Sequence, residues 1–264
     1  MPAVEHAAAA SEAFVKRLYA TGAIEAADVI EGRVEPHFSK ILMRLLAAHA
    51  LAEKLTAVGY QRALETVGDP DLRATIEKNL DEERKHARLI YQILEQLGTS
   101  ESHADRSMIP VMKSPSFEAP RHFAEHAGDA LELLMASLSL DVTGLLMIGV
   151  NYRESSYAPH QRAAEIILDE EEDHDTFAAG QLREASNRFG ADRVNAALRQ
   201  WLPRAVNFFG PPGSGFTFDC IRYGLKARDN GELAEMYLTM LERRCEQAGL
   251  EMPRLTSVYP HSLV

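Results

Sequence analysis

The chain has 264 residues, of which 46% are hydrophobic, and its formal net charge at pH 7 is −11. This length and hydrophobic content suffice for a substantial core, and we expect residues 1–264 to form one domain. The acidic balance argues against nucleic acid or an anionic membrane surface as a partner.

Three further features bear on the compartment of the protein. Cys220 and Cys245 are too few for a disulfide framework and lack the spacing of a metal site. Residues 1–10 have no basic start followed by an apolar core, which a signal peptide would have. The longest apolar run, residues 142–150, is too short to span a bilayer. We therefore expect a cytoplasmic protein without a membrane-spanning segment.

The first part of the chain predicts a helix, a turn and a second helix. After a short helix at residues 11–19, a long helix is predicted at about 37–66, and Glu53 lies inside its apolar stripe. In the turn that follows, we expect Asp69 to cap the next helix and Pro70 to occupy its first position.

The second helix is predicted to run from Pro70 to about Leu97. Glu83 and His86 occupy positions where the 3.6-residue period calls for apolar side chains. Because a buried carboxylate is costly unless it is paired or bound to a metal, these two residues are candidates for a buried functional site.

Residues 99–120 are polar and contain proline, and we interpret them as a long crossover between two helical hairpins. A third helix is predicted at about 121–152. Asp141 is the only charged residue between Leu133 and Asn151 in the sequence. An aspartate in so apolar a stretch is not readily explained as solvated surface.

The fourth helix is predicted at about 159–188 and carries Glu171 and His174 on its apolar stripe. Since no alternating strand pattern is visible, we predict an all-α chain. Additional helices are predicted at about 192–208, 216–227 and 231–248.

The charged residues within these stripes form a set that occurs twice. Each of two Glu-x-x-His pairs places a carboxylate and an imidazole on one helix face, because positions i and i+3 are neighbours there. Another carboxylate precedes each pair by 30 residues, and the second set follows the first with a shift of 88. This spacing suits a helix, a turn and the return helix. The predicted metal ligands are Glu53, Glu83, His86, Asp141, Glu171 and His174.

Two helices that give Glu-x-x-His and two that give one carboxylate each are the ligand arrangement of carboxylate-bridged di-iron bundles. We therefore predict a ferritin-like four-helix bundle at about residues 37–188, with a long crossover and additional C-terminal helices at about 192–248. Carboxylates and imidazoles suit two iron ions, and a mixed manganese–iron centre is an alternative. We expect Glu83 and Glu171 to bridge the irons, with Glu53 and His86 on one and Asp141 and His174 on the other.

The sequence leaves the roles of some neighbouring residues open. His49, one turn before Glu53, is either a hydrogen-bond partner of that carboxylate or a core histidine bonded to a backbone carbonyl. Glu82 and Glu170 either face solvent or support the site. Tyr60 either lies near the site or only packs in the core.

Several segments of the later part of the chain carry a narrower resemblance. They are Ser156-Tyr157-Ala158-Pro159, the Glu171/His174 pair, Trp201-Leu202-Pro203, Phe209-Gly210-Pro211-Pro212 and Gln247-Ala248-Gly249-Leu250. With these segments the chain resembles, over about residues 40–253, the phenylacetic acid catabolic family of di-iron oxygenases, in particular its catalytic epoxidase subunits. The resemblance implies metal-ligand roles for all six residues and an aromatic acyl-CoA, such as phenylacetyl-CoA, as substrate. It also implies a related helical partner subunit and an oligomer.

The predicted function is a monooxygenase that uses O₂ at two iron ions to epoxidise or hydroxylate an organic substrate. A separate reductase is expected, because the sequence has neither a Gly-rich dinucleotide fingerprint nor a four-cysteine cluster. Three alternatives are a ferritin-like ferroxidase or iron-binding protein, a ligand-binding oxidase with a manganese–iron centre, and a non-catalytic partner subunit. The presence of all six predicted ligands argues against the last.

Overall fold

The structure is a computed structural model that describes residues 19–127 and 129–254, apart from the side chains at 172, 173 and 175–179. Over these ranges the chain is helical, and the β-type pairing is an isolated bridge between Ile24 and Tyr157. The prediction of an all-α protein is confirmed. Apart from Tyr19, the helix predicted at residues 11–19 lies outside the described residues.

Four long helices form two hairpins that pack against each other. Helices α2 and α3 form the first hairpin, α6 and α7 form the second, and α3 packs against α7 between them. These are the four helices predicted to carry the site. In chain order the helices are α1 (Ala26–Ile30), α2 (Pro36–Ala63), α3 (Pro70–Gln96), α4 (Glu101–Met112), α5 (Glu118–His126), α6 (Ala130–Leu146), α7 (Ala158–Phe189), α8 (Ala191–Phe208), α9 (Gly215–Arg222) and α10 (Asn230–Gln247).

The turn between α2 and α3 has the predicted cap. Oδ1 of Asp69 accepts hydrogen bonds from the backbone N–H groups of Asp71 and Leu72, at 3.0 and 3.2 Å. Pro70 occupies the first helical position, where its missing N–H costs nothing. The local sequence therefore defines the start of α3.

Residues 99–120 connect the two hairpins as predicted, but they contain a helix that the sequence had not indicated. Helix α4 lies there, and a 3₁₀ turn at Pro115–Phe117 leads into α5. Ala104 and Met108, one turn apart, bury one face of α4 against the bundle. The polar composition belongs to the outer face, and an amphipathic helix needs only one apolar stripe.

The single helix predicted at about 121–152 is divided. Helix α5 ends at His126, and Asp129 caps α6 by accepting a hydrogen bond from the N–H of Leu131 at 2.7 Å. After Leu146 the helix widens into a π-helical turn at Met147–Asn151. Such turns are frequent at functional sites.

The segment after α9 folds back onto this π-helical turn. Helix α9 ends at Arg222, earlier than the predicted residue 227, and Gly224 follows with a φ of 63°. A Cβ atom at Gly224 would lie 2.4 Å from the carbonyl oxygen of Tyr19. A positive φ ends the helix at this point, and only glycine tolerates both this φ and the close contact with the backbone of Tyr19.

Within the part of the chain that the structure describes, one segment, Ala130–Glu154, is long and apolar enough to cross a membrane by length and composition. The run considered in the sequence is shorter because Asp141 interrupts it. In the structure, 78% of the segment's most apolar window is buried inside the protein. That burial is typical of a central helix in a bundle.

Candidate metal centre

The structure brings the six predicted ligand side chains together in the middle of the four-helix core. All of them are buried, with relative exposures of 8% or less. Each of the four long helices contributes at least one of them. They are Glu53 from α2, Glu83 and His86 from α3, Asp141 from α6, and Glu171 and His174 from α7.

The six side chains form two adjoining groups. Within each group, one potential ligand atom per residue lies within 4.8 Å of the others. Glu171 belongs to both groups, so its carboxylate lies between them. Oε1 of Glu83 is also only 3.9 Å from Nδ1 of His174 in the second group. The first group is Glu53, Glu83, His86 and Glu171, and the second is Asp141, Glu171 and His174.

A glycine on α6 leaves room for the shared carboxylate. A Cβ atom at Gly144 would lie 3.0 Å from Oε2 of Glu171, which is closer than ordinary side-chain contacts. Gly144 is three residues after Asp141 and therefore on the same helix face. Gly144 was not among the predicted site residues, although a glycine one turn from a carboxylate in an apolar helix is visible in the sequence.

The two imidazoles are oriented by carboxylates on the opposite hairpin. Nε2 of His86 donates to Oε2 of Glu170 at 2.8 Å, and Nε2 of His174 donates to Oε2 of Glu82 at 2.9 Å. Of the two roles left open for Glu82 and Glu170, the structure therefore shows support of the site. Each bond fixes the tautomer, so that Nδ1 carries the lone pair.

In both histidines, Nδ1 faces the acidic cluster. Nδ1 of His86 lies 3.7 Å from Oε1 of Glu171, and within the described part of the chain neither Nδ1 atom has a hydrogen-bond partner. Buried polar atoms are rarely left in this state unless water or an ion satisfies them. Two lone pairs directed into a pocket of carboxylates fit metal ligation.

The charges of the four carboxylates oppose one another. Burial and the charges of Glu53 and Glu171 raise the pKa of Glu83 well above its ordinary value. Burial would also raise the pKa of Glu53, but the hydrogen bond and charge of His49 and the charge of His86 outweigh it and lower that pKa to about 2. The cluster therefore favours the neutral form of one carboxylate unless cations are bound.

A pair of buried histidines extends from Glu53 away from the cluster. Nε2 of His49 lies 2.8 Å from Oε1 of Glu53, so His49 is a partner of that carboxylate. Its Nδ1 lies 3.0 Å from Nε2 of His160, which is fully buried. His160 has no spacing relation to the predicted ligand set, so no sequence pattern pointed to it.

Tyr60 lies beside the second group of predicted ligands. Its hydroxyl is 3.5 Å from Oδ1 of Asp141 and 3.1 Å from Oγ of Ser137, and it accepts from Nδ2 of Asn79 at 3.4 Å. Of the two roles left open for Tyr60, proximity to the site is therefore the observed one.

A cavity of about 260 Å³ adjoins the acidic cluster. Four of the six predicted ligands form part of its wall, while most of the remainder is apolar and comes from several helices. The π-helical turn contributes Met147 and Ile148. The other apolar walls include Met108, Phe117, Leu140, Phe209 and Phe216.

An all-α bundle in which two Glu-x-x-His pairs and two further carboxylates converge on one buried point has the architecture of the ferritin-like bundles. Residues 74–260 match the family model described as phenylacetic acid catabolic protein. Because this match includes more than half of the chain, the protein belongs to that family. The matched segment contains every predicted ligand except Glu53, which precedes it.

A solved structure has a similar fold. It is a protein with aldehyde deformylating oxidase activity from Synechococcus, with a TM-score of 0.63 and 16% sequence identity. The similarity covers 83% of this chain and 94% of that one. At this identity the likeness supports the fold alone. No curated protein matches the chain.

Proposed function

We propose that the protein is a non-haem di-iron monooxygenase that uses O₂ to epoxidise or hydroxylate an organic substrate. The observation that carries this proposal is the orientation of two buried imidazoles, whose Nδ1 atoms face a cluster of four carboxylates. This donor set suits iron. The proposed ligands are Glu53, Glu83, His86, Asp141, Glu171 and His174.

Two iron ions bound there would supply the O₂-dependent oxidation chemistry. The residues of the chain would hold and orient them. Glu83 and Glu171 lie between the two groups and are the proposed bridging ligands. Glu82 and Glu170 keep the imidazoles in the tautomer that can bind metal, and the bound cations would let all four carboxylates stay ionised.

The adjoining cavity favours an oxygenase over an iron-storage protein. It places an apolar space directly beside Glu53, Glu83, Asp141 and Glu171, where a substrate carbon can approach the centre. The apolar walls exclude water from that approach. A ferroxidase handles only iron and O₂ and has no need of such a space.

Family membership supports an aromatic compound as substrate, and a CoA thioester such as phenylacetyl-CoA is the form that the sequence resemblance implies. We further propose that electrons come from a separate reductase and that a related helical subunit assembles with this chain in the cytoplasm. The two buried free cysteines, Cys220 and Cys245, agree with a reducing compartment.

The proposal is tested by metal analysis of protein purified from iron-supplemented cells. We expect about two iron ions per chain, and optical changes when the reduced protein meets O₂. A shell that mineralises many irons per chain would replace the proposal with iron storage. One manganese and one iron would indicate the mixed-metal oxidase, and a chain that binds no metal would be a non-catalytic partner subunit.

A further inference from the structure

A buried cation lies in the wall of the cavity. Lys226 is only 5% exposed and lines the same space as the acidic cluster. Its Nζ donates to Oδ1 of Asn230 at 3.0 Å, which is a neutral acceptor. Among the described residues, no carboxylate lies within 4.0 Å of this Nζ, so Lys226 does not form an ion pair with the proposed metal ligands.

The position of Lys226 is fixed by its surroundings. Nδ2 of Asn230 donates to the carbonyl oxygen of Pro211 at 3.2 Å, which turns Oδ1 of the same amide toward Lys226. A Cβ atom at Gly210 would lie 2.9 Å from that Nδ2, so the glycine leaves room for the amide. The Phe-Gly-Pro-Pro segment thus has a role in holding the lysine.

The backbone next to Lys226 is also anchored. Oδ1 of Asn151, at the end of the π-helical turn, accepts hydrogen bonds from the N–H groups of Ala227 and Arg228 at 3.0 and 2.9 Å. The turn itself contributes Met147 and Ile148 to the cavity wall. The lysine and the apolar wall therefore belong to one connected structure.

The residues around Lys226 make this part of the cavity polar. Thr217 and Ser214 line it with hydroxyl groups, and Arg44 lies over the ring of Phe216 at 4.4 Å. Arg44 is exposed, whereas Lys226 and Thr217 are buried. The cavity thus has an acidic wall from the long helices and a basic, hydroxyl-containing wall from the C-terminal segment.

A buried ammonium without a counter-ion is costly. Burial lowers the pKa of Lys226, an effect that the charges of Cys220 and Asp229 only partly oppose. An anion that enters the cavity would relieve this cost, because a buried charge is stabilised when it is paired and hydrogen-bonded. The same anion would be repelled by the acidic wall unless metal ions are bound there.

We propose that Lys226 binds a free carboxylate of the substrate, so that the cavity accepts an aromatic or apolar carboxylic acid whose apolar part extends toward Glu83 and Glu171. That this ligand is the substrate rests on the proposed function, whereas the binding itself requires only the cavity and Lys226. The inference differs from the thioester expectation, because esterification to CoA removes the carboxylate charge.

The test is calorimetric titration of the iron-loaded protein under anaerobic conditions with 4-phenylbutyrate and with the matched alcohol, 4-phenylbutanol. We expect the acid to bind the wild type about tenfold more tightly than the alcohol, as a charge-assisted hydrogen bond allows. Lys226→Met should remove this preference and leave alcohol binding unchanged. Lys226→Arg should retain it, and Lys40→Met, at an exposed position on α2, is the control.

Three results would overturn the inference. They are equal binding of acid and alcohol to the wild type, unchanged acid binding by Lys226→Met, and tighter binding of phenylacetyl-CoA than of phenylacetate with no dependence on Lys226. If Lys226→Met does not fold, as judged by circular dichroism, the wild-type comparison and Lys226→Arg still decide.

The outcome separates this inference from the proposed function. Iron binding without any acid preference would refute the carboxylate site and leave the di-iron centre intact. Acid binding that depends on Lys226 in a chain that takes up no iron would refute the oxygenase and leave the carboxylate site.

Discussion

Nε2 of His86 on α3 lies 2.8 Å from Oε2 of Glu170 on α7, and this bond crosses from one helical hairpin to the other. The second half of the repeat has the corresponding bond in the opposite direction, from His174 to Glu82. Each supporting glutamate directly precedes a proposed ligand glutamate in the sequence. On each of the two helices, one glutamate therefore occupies a proposed ligand position, and the glutamate before it supports the histidine of the other hairpin.

Removal of one supporting carboxylate is expected to weaken metal binding. In Glu170→Ala, the imidazole of His86 loses the partner that fixes its tautomer and its ring orientation. We expect iron affinity to fall by about 10–100-fold with little change in helical content. Competitive chelator titration measures this. Glu165→Ala, an exposed position on the same helix, should bind iron like the wild type, and an equal affinity in both variants would contradict the prediction.

The space above Glu171 gives a second prediction. In Gly144→Ala, the new Cβ would lie 3.0 Å from Oε2 of Glu171 and would displace the carboxylate. We expect lower iron occupancy. The free energy of unfolding should change by about 1 kcal/mol or less, because the gain from alanine in a helix is offset by the close contact with Glu171.

Gly180→Ala on α7 is the matched control, since a Cβ there meets nothing within 4 Å. It should keep full iron occupancy and gain the helical stabilisation. Equal iron content in both variants, measured by plasma emission spectrometry, would show that Gly144 is not needed for the position of Glu171.

The charge of the acidic cluster predicts how the stability of the metal-free protein depends on pH. Because the pKa of Glu83 is raised above the ordinary value of 4.5, its contribution to stability is complete below that value and is lost as the pH rises through the folded-state pKa. The lowered pKa of Glu53 has the opposite effect on stability. The stabilisation from ionised Glu53 is lost as the pH falls from 4.5 toward about 2.

Glu83→Gln removes the ionisable group, whose protonation in the metal-free cluster costs more as the pH rises. At pH 7 we expect the free energy of unfolding of this variant to exceed that of the metal-free wild type by about 1 kcal/mol or more. We also expect the variant to bind less iron. Urea titrations at pH 5 and pH 7 measure the difference, which should grow with pH. A Glu83→Gln variant less stable than the metal-free wild type at pH 7 would refute the assigned charge repulsion.

Gly224 provides a test of the segment that carries Lys226. Gly224→Ala combines a positive φ with a contact of 2.4 Å to the backbone of Tyr19, whereas Gly213→Ala has a similar φ of 62° and open space. We expect Gly213→Ala to cost about 1 kcal/mol and Gly224→Ala at least about 2 kcal/mol more. Thermal unfolding measures both, and equal losses would mean that strain in φ accounts for the whole effect.

Some of these features were predictable from the sequence, because they depend on helical periodicity. Glu83 and His86 share a face through their spacing alone, and the interval from Glu53 to Glu83 matches a helix and its return. Asp69 and Pro70 marked the start of α3 for a similarly local reason. The helical connection was missed because α4 has a polar composition and its buried stripe is narrow.

The sequence by itself determined the helical class, the four helices of the core and the six candidate ligands, since each follows from positions along one chain segment. Only the tertiary structure placed Gly144 beside Glu171, His160 beside His49, and Lys226 in the cavity wall. These contacts join residues from separate elements with no fixed spacing between them. Packing of the helices and the returning C-terminal segment decides which side chains meet, and no local pattern records it.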